Sequence, residues 1–482
     1  MKKIEATTEQ FITTYMKALK DGTAAVFAGA GLSKAAGFVD WKDLLKSIAH
    51  QLGLNIDKES DLIALTQYHI NEHGTRHRIN QLIVDEFSRR ASITENHKIL
   101  SGLPITIFWT TNYDRLIEDA LNQAGKTPDV KITPENLAIN LPKRDAVVYK
   151  MHGDINDSDR AVFTKEDYEN FNNDRQLFST ALQGDIVSKT FLFIGFSFSD
   201  PNIDYILSRI RVLLGKNQRN HYCFLRKVHR KDFKNNKDFI YAQTKQNLQI
   251  KDLKRYSITA LLFDDYADFT EVLRIIENRI KRAKVFISGS AEQYSPWGEQ
   301  KSIRFVHALS KELNRNEFTV ITGFGLGIGS AVINGVLEQV YSTNYHHLDD
   351  QLILRPFPQF ATGNKSLPDL WKEYRSEMIS KAGIAIFLFG NKKNERGEIV
   401  NANGVLKEYE IAISNGLKVI PVGLTGYASA DLWKKVWQER KRLFGNKKKI
   451  HNSLKKLNDP KTSLTKTVKI IIDLVKLIQR EP

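Results

Sequence analysis

Two polar side chains, Asn112 and His152, are the strongest candidates for chemistry in this sequence. A neutral histidine accepts a proton near neutral pH, and an asparagine amide donates one hydrogen bond while it accepts another. Each of the two stands shortly after an apolar run, where the carboxyl end of a buried strand is expected. The alternative for each is a structural role, as a capping asparagine and as a hydrogen-bonded core histidine.

A glycine turn lies earlier in the chain. An apolar run that ends in Ala28 breaks into Gly29, Ala30 and Gly31, and Ser33 follows before a helical pattern begins. Such a strand, turn and helix brings backbone N–H groups close to a phosphate, and glycine leaves no Cβ in the way of a ligand. Taken alone, the turn is equally compatible with a purely structural role.

Further apolar runs predict the sheet that positions these residues. The runs cover 105–110, 146–150, 191–195, 222–225 and 258–263. Polar residues and glycines gather at the carboxyl ends of successive runs, which is where an open α/β sheet binds its ligands. Helical patterns fill most of the first hundred residues apart from the glycine turn, so we expect helical additions to this domain.

The alternation of strands and helices restarts in the second half of the chain. An amphipathic helix over 268–283 ends the first pattern, and new apolar runs follow at 285–290, 318–322, 352–355, 384–388 and 419–422. We therefore predict an α/β protein of two Rossmann-like, doubly wound domains, one at 1–283 and one at 284–482. Leu464 to Ile478 has the pattern of a terminal helix that packs back on the second domain.

Composition restricts the class of protein. The chain has 482 residues, 41% of them hydrophobic, and no apolar run long enough to span a bilayer. No apolar core follows its basic start, so a secretion signal is not expected. The single cysteine, Cys223, excludes a disulfide framework and a cysteine-rich zinc site within one chain. We expect a cytoplasmic protein that uses no metal and binds no membrane.

The formal net charge is +16, and much of the excess is concentrated in residues 434–456. We interpret this stretch as a solvated helix face, although a basic surface also attracts anionic nucleotides. The alternative is a nucleic-acid-binding protein that uses the stretch, which would bind tightly with a steep salt dependence.

A phosphate-binding turn combined with an asparagine and a histidine suits cleavage at the nicotinamide ribose of NAD+. That bond has a good leaving group and breaks through a cation-like ribose. The protein therefore needs mainly to position NAD+ and to activate water or a ribose hydroxyl.

In this order, the glycine turn, the stretch 111–114 and His152 with Gly153 resemble the NAD-binding core of sirtuins. The resemblance implies that the turn from Ala28 to Ser33 holds the phosphates, that Asn112 lies beside the nicotinamide ribose and that His152 is the general base. It further implies that a later strand end, with Gly195 and Ser197, contacts the adenosine ribose. Asp114 is a further NAD-binding candidate, and its structural alternative is to cap or orient the helix after Asn112.

The chain departs from sirtuin deacylases in two respects. One cysteine cannot build their four-cysteine zinc module, and residues 34–41 differ from the deacylase motif after the turn. NAD+ hydrolysis needs only the part that is kept, so we expect an NAD+ hydrolase that releases nicotinamide and ADP-ribose. The alternative enzymatic activity is that of an acyl-lysine deacylase.

The second half resembles the SLOG family, on the evidence of its glycine turns at 288–290 and 322–327. The catalytic Pro-Gly-Gly-x-Gly-Thr stretch of the related LOG phosphoribohydrolases is missing, which favours a binding role. A sirtuin-like domain followed by a SLOG domain is similar to the effectors of Thoeris anti-phage systems. That resemblance implies a TIR-domain protein as functional partner, a cyclic ADP-ribose isomer as activator and a tetramer or larger homo-oligomer.

The same resemblance implies a set of residues for the signal pocket. From the glycine turns these are Gly289, Ser290, Gly323, Gly325, Leu326 and Gly327. Arg375 would meet the pyrophosphate, Lys392 would add charge and Glu408 would accept from a ribose hydroxyl. In the structural alternatives, Arg375 pairs with Glu377 or solvent, Lys392 is a loop charge and Glu408 is a solvated helix residue. A nucleotide sensor without catalysis is the remaining alternative function.

Overall fold

The structure, a computed structural model, describes residues 5–89, 91–196, 198, 200–215, 217–343, 348–358, 360–361 and 363–481, and these contain two parallel β-sheets. Met1–Ile276 and Glu277–Pro482 form two compact units, each with one of the sheets. We call them the first and the second unit. The boundary that the sequence places after residue 283 stays a prediction.

The strands of the first unit are β1 (Ala24–Ala28), β2 (Ile107–Thr110), β3 (Pro128–Lys131), β4 (Ala146–Lys150), β5 (Thr190–Ile194), β6 (His221–Arg226) and β7 (Ile258–Phe263). Within the described residues they form one parallel sheet in the order β3-β4-β2-β1-β5-β6-β7. All residues of β1 and β5 are buried, as expected when helices cover both faces of a parallel sheet. The chain adds β2 to β4 on one side of β1 and β5 to β7 on the other side. The crevice at the carboxyl ends of the strands, where the direction of addition reverses, is a usual ligand site.

The helices that begin in the first unit are α1 (Ala6–Lys20), α2 (Ala30–Lys34), α3 (Trp41–Leu44), α4 (Lys46–Gln51), α5 (Leu62–His73), α6 (His77–Phe87), α7 (Glu95–Gly102), α8 (Leu116–Gln123), α9 (Pro134–Leu137), α10 (Lys165–Asp174), α11 (Gln176–Ser188), α12 (Pro201–Leu214), α13 (Asn236–Leu253) and α14 (Tyr266–Arg282). Helices α3 to α6 pack around an apolar cluster of their own that includes Leu45, Ile48 and Leu65. They are the helical additions that the sequence predicts.

The strands of the second unit are β8 (Lys284–Ser290), β9 (Thr319–Thr322), β10 (Leu352–Leu354), β11 (Ile384–Phe389), β12 (Asn391–Lys393), β13 (Ile399–Asn401) and β14 (Lys418–Pro421). In the part of the chain that the structure describes, β10-β9-β8-β11-β14 is a parallel sheet, and β12 and β13 form an antiparallel hairpin. The helices are α15 (Glu299–Arg315), α16 (Gly329–Tyr341), α17 (Leu348–Gln351), α18 (Leu367–Ser380), α19 (Asn403–Ser414), α20 (Tyr427–Phe444), α21 (Lys448–Lys456) and α22 (Leu464–Gln479).

The predicted fold class is confirmed, and each apolar run named above coincides with a strand to within two residues. The sequence missed β3, because only Val130 of its residues is a typical strand former. Its polar residues Asp129 and Lys131 are nevertheless buried, and they form an ion pair at 2.9 Å. The basic stretch lies on α20 and α21. Among the described helices, none combines the length and apolarity that crossing a bilayer requires.

Glycines allow the loops after β1 and β5 to pack backbone against backbone. A Cβ on Gly29 would overlap the carbonyl oxygen of Gly195, and a Cβ on Gly31 would lie 2.9 Å from Cα of Gly195. Gly195 itself has φ +66°, and a Cβ there would overlap the amide nitrogen of Leu32. The N–H of Gly31 donates to the carbonyl of Gly195 at 2.9 Å. Close packing therefore requires glycine at these positions whatever the turn binds.

We expect Gly195→Ala to destabilise the protein by about 2–5 kcal/mol. Alanine is strained in the left-handed conformation of Gly195, and its Cβ would also overlap the backbone of Leu32. Calorimetric unfolding of the full chain measures the change. Gly184→Ala is the matched control, because Gly184 lies exposed in α11 with open space around its Cα. That substitution should stabilise by about 0.5–1 kcal/mol. Equal effects of the two variants would contradict the packing argument.

Candidate active site

The strand register brings the polar loops of the first unit to one edge of the sheet. The register aligns one residue on each of four neighbouring strands, namely Lys150 on β4, Thr110 on β2, Ala28 on β1 and Ile194 on β5. Gly29 and Gly195 follow this row directly, and Asn112 and His152 lie two residues beyond it. Because Thr110 is paired with Lys150, Asn112 and His152 follow adjacent strands at the same height along the sheet. Such strands are about 4.8 Å apart.

Asn112 is held by hydrogen bonds to the glycine turn. Its Nδ2 donates to the carbonyl of Gly29 at 3.1 Å and to Oγ of Ser33 at 2.9 Å. The Ser33 hydroxyl in turn donates to Oδ2 of Asp114 at 2.7 Å. Since the carbonyl of Gly29 can only accept, the amide orientation is determined. The amide oxygen of Asn112 has no hydrogen-bond partner among the described residues, so it is the atom left to accept from a ligand.

His152 is buried, with 2% of its surface exposed. Its ring packs edge-on against Tyr168 and Phe171, with centroids 5.5 and 6.1 Å away. Nε2 lies 3.1 Å from Oδ2 of Asp200, which is within the distance of an ion pair. The same nitrogen has no hydrogen bond of good geometry to any described residue. Nε2 of His152 is therefore close to the Asp200 carboxylate, but the two groups are not aligned for a good hydrogen bond.

Asp200 is the N-cap of α12, and its Oδ1 accepts from the N–H groups of Asn202 and Ile203. Burial by itself would raise the pKa of this carboxyl. The neighbouring His152 and the two backbone donors outweigh burial, so the pKa of Asp200 lies below its usual value. An ionised carboxylate thus stands beside the candidate general base.

Lys150 connects the loops that carry the two candidate catalytic residues. Its ammonium group is fully buried and donates to the carbonyls of Tyr113 and Asp114, which follow Asn112. It also pairs with Asp154, which follows His152, and with Glu118 at 3.2 Å. Burial opposes charge on this lysine, but the two carboxylates outweigh it and raise the pKa of Lys150. Burial raises the pKa of Glu118, although the lysine opposes the shift.

The second unit repeats the pattern of glycine loops at strand ends. A Cβ on Gly325 would overlap the carbonyl oxygen of Gly289, and a Cβ on Gly289 would lie 2.5 Å from the carbonyl oxygen of Leu388. Gly327 has φ +76°, and a Cβ there would overlap the carbonyl oxygen of Ala291. The loops after β8 and β9 are therefore packed as closely as those of the first unit.

A cavity of about 110 Å³ lies at this edge of the second sheet. Predicted signal residues line it, namely Gly289, Ser290, Gly323, Gly325 and Glu408. Glu408 is buried, accepts from the Ser288 hydroxyl at 2.6 Å and meets Nε of Arg375 at 3.4 Å. Burial raises the pKa of Glu408, although Ser288 and Arg375 oppose the shift. The Arg375 guanidinium also lies 4.7 Å from the ring centroid of Phe357.

Four predicted signal residues lie outside this cavity lining, namely Leu326, Gly327, Arg375 and Lys392. Lys392 is exposed in the hairpin of β12 and β13. Leu326 is 60% exposed, and its carbonyl accepts from the N–H of Ala291 at 2.8 Å. The hairpin instead contributes Asn391, which is fully buried and holds the loop after β8 through the N–H groups of Glu292 and Gln293.

Two family models match the chain in the order of its two units. A SIR2-like domain matches residues 106–250, and the Sir2- and TIR-associating SLOG family matches residues 268–478. The NAD(+) hydrolase ThsA of Cytobacillus dafuensis is 53% identical over 433 residues, which cover 88% of this chain and 87% of that protein. This chain belongs to the ThsA family. Both resemblances predicted from the sequence are thereby confirmed.

Other ThsA proteins match over almost their full length. The NAD(+) hydrolase ThsA of Bacillus cereus (strain MSX-D12) is 47% identical over 478 residues, which cover 99% of each chain. The NAD(+) hydrolase ThsA of Acinetobacter baumannii (strain 532279) is 43% identical over 473 residues, with 97% of this chain and 98% of that protein covered.

In this ThsA-family chain, the structure brings most of the predicted NAD-binding residues together. Ala28 and Gly29 are buried at the end of β1, and Ala30 and Gly31 are exposed at the start of α2. Ser33 and Asp114 join the network of Asn112, and Gly195 packs on the turn. Ser197 lies outside the described residues. The parts of the chain that the structure describes contain no group of His, Cys, Asp or Glu placed to hold a metal.

Sequence reasoning missed two residues of this ThsA-family site, Asp200 and Lys150. A signal for Asp200 was present, because an aspartate before a proline at a strand end is typical of a helix N-cap. Its contact with His152 was not predictable, since β5 and β4 are separated by two strands in the sheet. Lys150 gave no signal, because a lysine at the end of an apolar run is usually solvated.

We expect Lys150→Met to destabilise the protein by about 3–5 kcal/mol, because it leaves Glu118 and Asp154 as uncompensated buried carboxylates. Chemical unfolding of the purified variant measures the loss. Lys34→Met is the control, since its partner Asp40 and Lys34 itself are 41% and 59% exposed. Removing that pair should change stability by less than about 1 kcal/mol. A similar small effect at Lys150 would show that the buried cluster is dispensable.

Proposed function

We propose that this chain hydrolyses NAD+ to nicotinamide and ADP-ribose. The observation that carries the proposal is the placement of Asn112 and His152 at the same height on adjacent strands, beside the glycine turn. The names of the ThsA relatives support the same substrate and reaction. An amide that can accept a hydrogen bond and a histidine that can take up a proton, at one edge of the sheet, support a reaction of this kind.

In the proposed reaction, water attacks C1′ of the nicotinamide ribose. The C1′–N bond breaks, and its electron pair leaves with nicotinamide. His152 takes the proton of the attacking water and passes it to solvent. The amide oxygen of Asn112 accepts a hydrogen bond from a ribose hydroxyl or from the water, and so fixes the position of that group. The turn from Ala28 to Ser33 contacts the phosphates, and the loop with Gly195 and Ser197 contacts the adenosine ribose.

We further propose that the second unit controls this activity. Asn112 and His152 are only 8% and 2% exposed, which is consistent with a site that opens before a dinucleotide reaches it. A cyclic ADP-ribose isomer that binds the open arrangement more tightly than the closed one would shift the population toward it. The cavity beside Glu408 and Arg375 is the proposed receptor. At about 110 Å³ it lies below the roughly 300 Å³ of common ligand sites, so it must widen on binding.

The setting we propose is anti-phage defence of the Thoeris type, with depletion of cytoplasmic NAD+. The isomer would come from a TIR-domain protein, which is consistent with a match to a family described as Sir2- and TIR-associating. We propose that the active form is a homotetramer or larger assembly.

We expect Asn112→Ala and His152→Ala each to lower NAD+ hydrolysis by at least about 100-fold, because general acid–base catalysis contributes roughly 10²–10⁴-fold. Nicotinamide release, measured with and without cyclic ADP-ribose isomers, is the assay. His50→Ala, at an exposed position on α4, is the matched control and should keep wild-type activity. Wild-type rates in both site variants would contradict the assignment, and acetyl-peptide turnover by the wild type would indicate a deacylase.

We expect Arg375→Ala to abolish activation by the isomer, because it removes the guanidinium that would pair with a pyrophosphate. Isothermal titration of the isomer and nicotinamide release together measure binding and activation. Arg315→Ala, at an exposed ion pair on α15, is the control and should bind like wild type. Activation that persists in Arg375→Ala would place the receptor elsewhere. Binding to the wild type without any nicotinamide release would indicate a sensor without catalysis.

A further inference from the structure

The two ring nitrogens of His152 have different surroundings. Nε2 is the one that is buried without a hydrogen-bond partner among the described residues, and it lies 3.1 Å from Oδ2 of Asp200. A buried polar atom without a partner is costly, so its approach to a carboxylate calls for a functional explanation. Nδ1 is the nitrogen left to face a ligand.

We propose that Asp200 is a positioning residue for the candidate base, which holds His152 with Nε2 toward its carboxylate and Nδ1 toward the substrate. The inference rests on the proposed NAD+ hydrolysis. When Nδ1 takes the proton of the attacking water, the ring becomes an imidazolium that carries an N–H at each nitrogen. The Nε2–H then points to the Asp200 carboxylate, which stays ionised and balances the new charge. The proton leaves from Nδ1 to solvent, and the ring returns to its neutral form.

Asp200 is suited to this role because it is itself fixed. As the N-cap of α12 it accepts two backbone N–H groups through Oδ1, which leaves Oδ2 for His152. One carboxylate therefore uses one oxygen for helix capping and the other for the imidazole. The cap keeps the carboxylate in place, so little reorganisation is needed when charge develops on the ring.

The other groups around His152 do not duplicate the Asp200 charge. Tyr168 and Tyr113 are neutral, since burial and nearby carboxylates raise the pKa of both phenols. Asp167 is paired with Arg76. The remaining charged groups, on neighbouring elements, are Arg175, Lys150 and Asp154. Arg175 donates to the carbonyl of Met151 at 3.3 Å, and Lys150 and Asp154 neutralise each other.

The test is Asp200→Asn in the full-length chain. Asparagine caps a helix as well as aspartate does, so the variant removes the charge and keeps the fold. We expect kcat for NAD+ to fall at least about ten-fold with little change in KM, because the charge acts only when the imidazolium forms. The acid limb of the pH–kcat profile should move to lower pH, because a neighbouring carboxylate favours the protonated ring. Asp200→Ser, which also caps, provides a second variant.

The control is Asp61→Asn, which makes the same change at the N-cap of α5, where Oδ1 of Asp61 accepts from the N–H of Ala64. It should leave kcat and the pH profile unchanged. Unchanged kcat and an unmoved acid limb in Asp200→Asn would overturn the proposal. A rise in activity would also overturn it, since Asp200 would then hold the histidine in a closed state.

A second readout is independent of turnover. In protein with ¹³C-labelled histidine, the His152 signal is identified by its loss in His152→Ala, and its titration is followed by NMR. The midpoint should be lower in Asp200→Asn than in wild type. If the wild type hydrolyses no NAD+ but the midpoint shifts, the proposed function fails and the pairing stands. An unchanged midpoint refutes the pairing, whatever the activity.

Discussion

A single buried ammonium group holds the candidate active site together. Lys150 reaches the backbone after Asn112 and the carboxylate after His152, so one side chain determines the spacing of both loops. Its charge is balanced by Glu118 and Asp154, and this balance is the condition for its burial. The sheet register sets the height of the two candidate residues, but the loops beyond the strands are held by this cluster.

Glycine provides the second constraint, and it acts in both units. The loops after β1 and β5 approach through Gly29, Gly31 and Gly195, and those after β8 and β9 through Gly289 and Gly325. Each approach brings backbone to within a distance that no Cβ allows. The residues that read as nucleotide-binding turns therefore also close the sheet edge, and the structural and the ligand-binding roles are not alternatives.

The two edges differ in the side chains that face them. The first has an amide oxygen that no described residue hydrogen-bonds, and a histidine that lies beside an ionised carboxylate. The second has the ion pair of Arg375 and Glu408, with the Arg375 guanidinium over the ring of Phe357. This contrast agrees with the proposal that the first unit carries out the chemistry and the second binds the signal.

The sequence by itself determined most of the strands, the glycine turns and the position of Asn112 and His152 just after two strands, because apolar runs and strand-end residues are local signals. It could not indicate β3, where a buried ion pair replaces the apolar side chains, or the hairpin that places Lys392 in solvent. Only the tertiary structure decided which carboxylate faces His152, since Asp200 follows β5, which two strands separate from β4. The burial of Lys150 was also decided there, because its partners come from α8 and from the loops after β2 and β4. Contacts between distant segments leave no periodic pattern in the chain, and the sites depend on them.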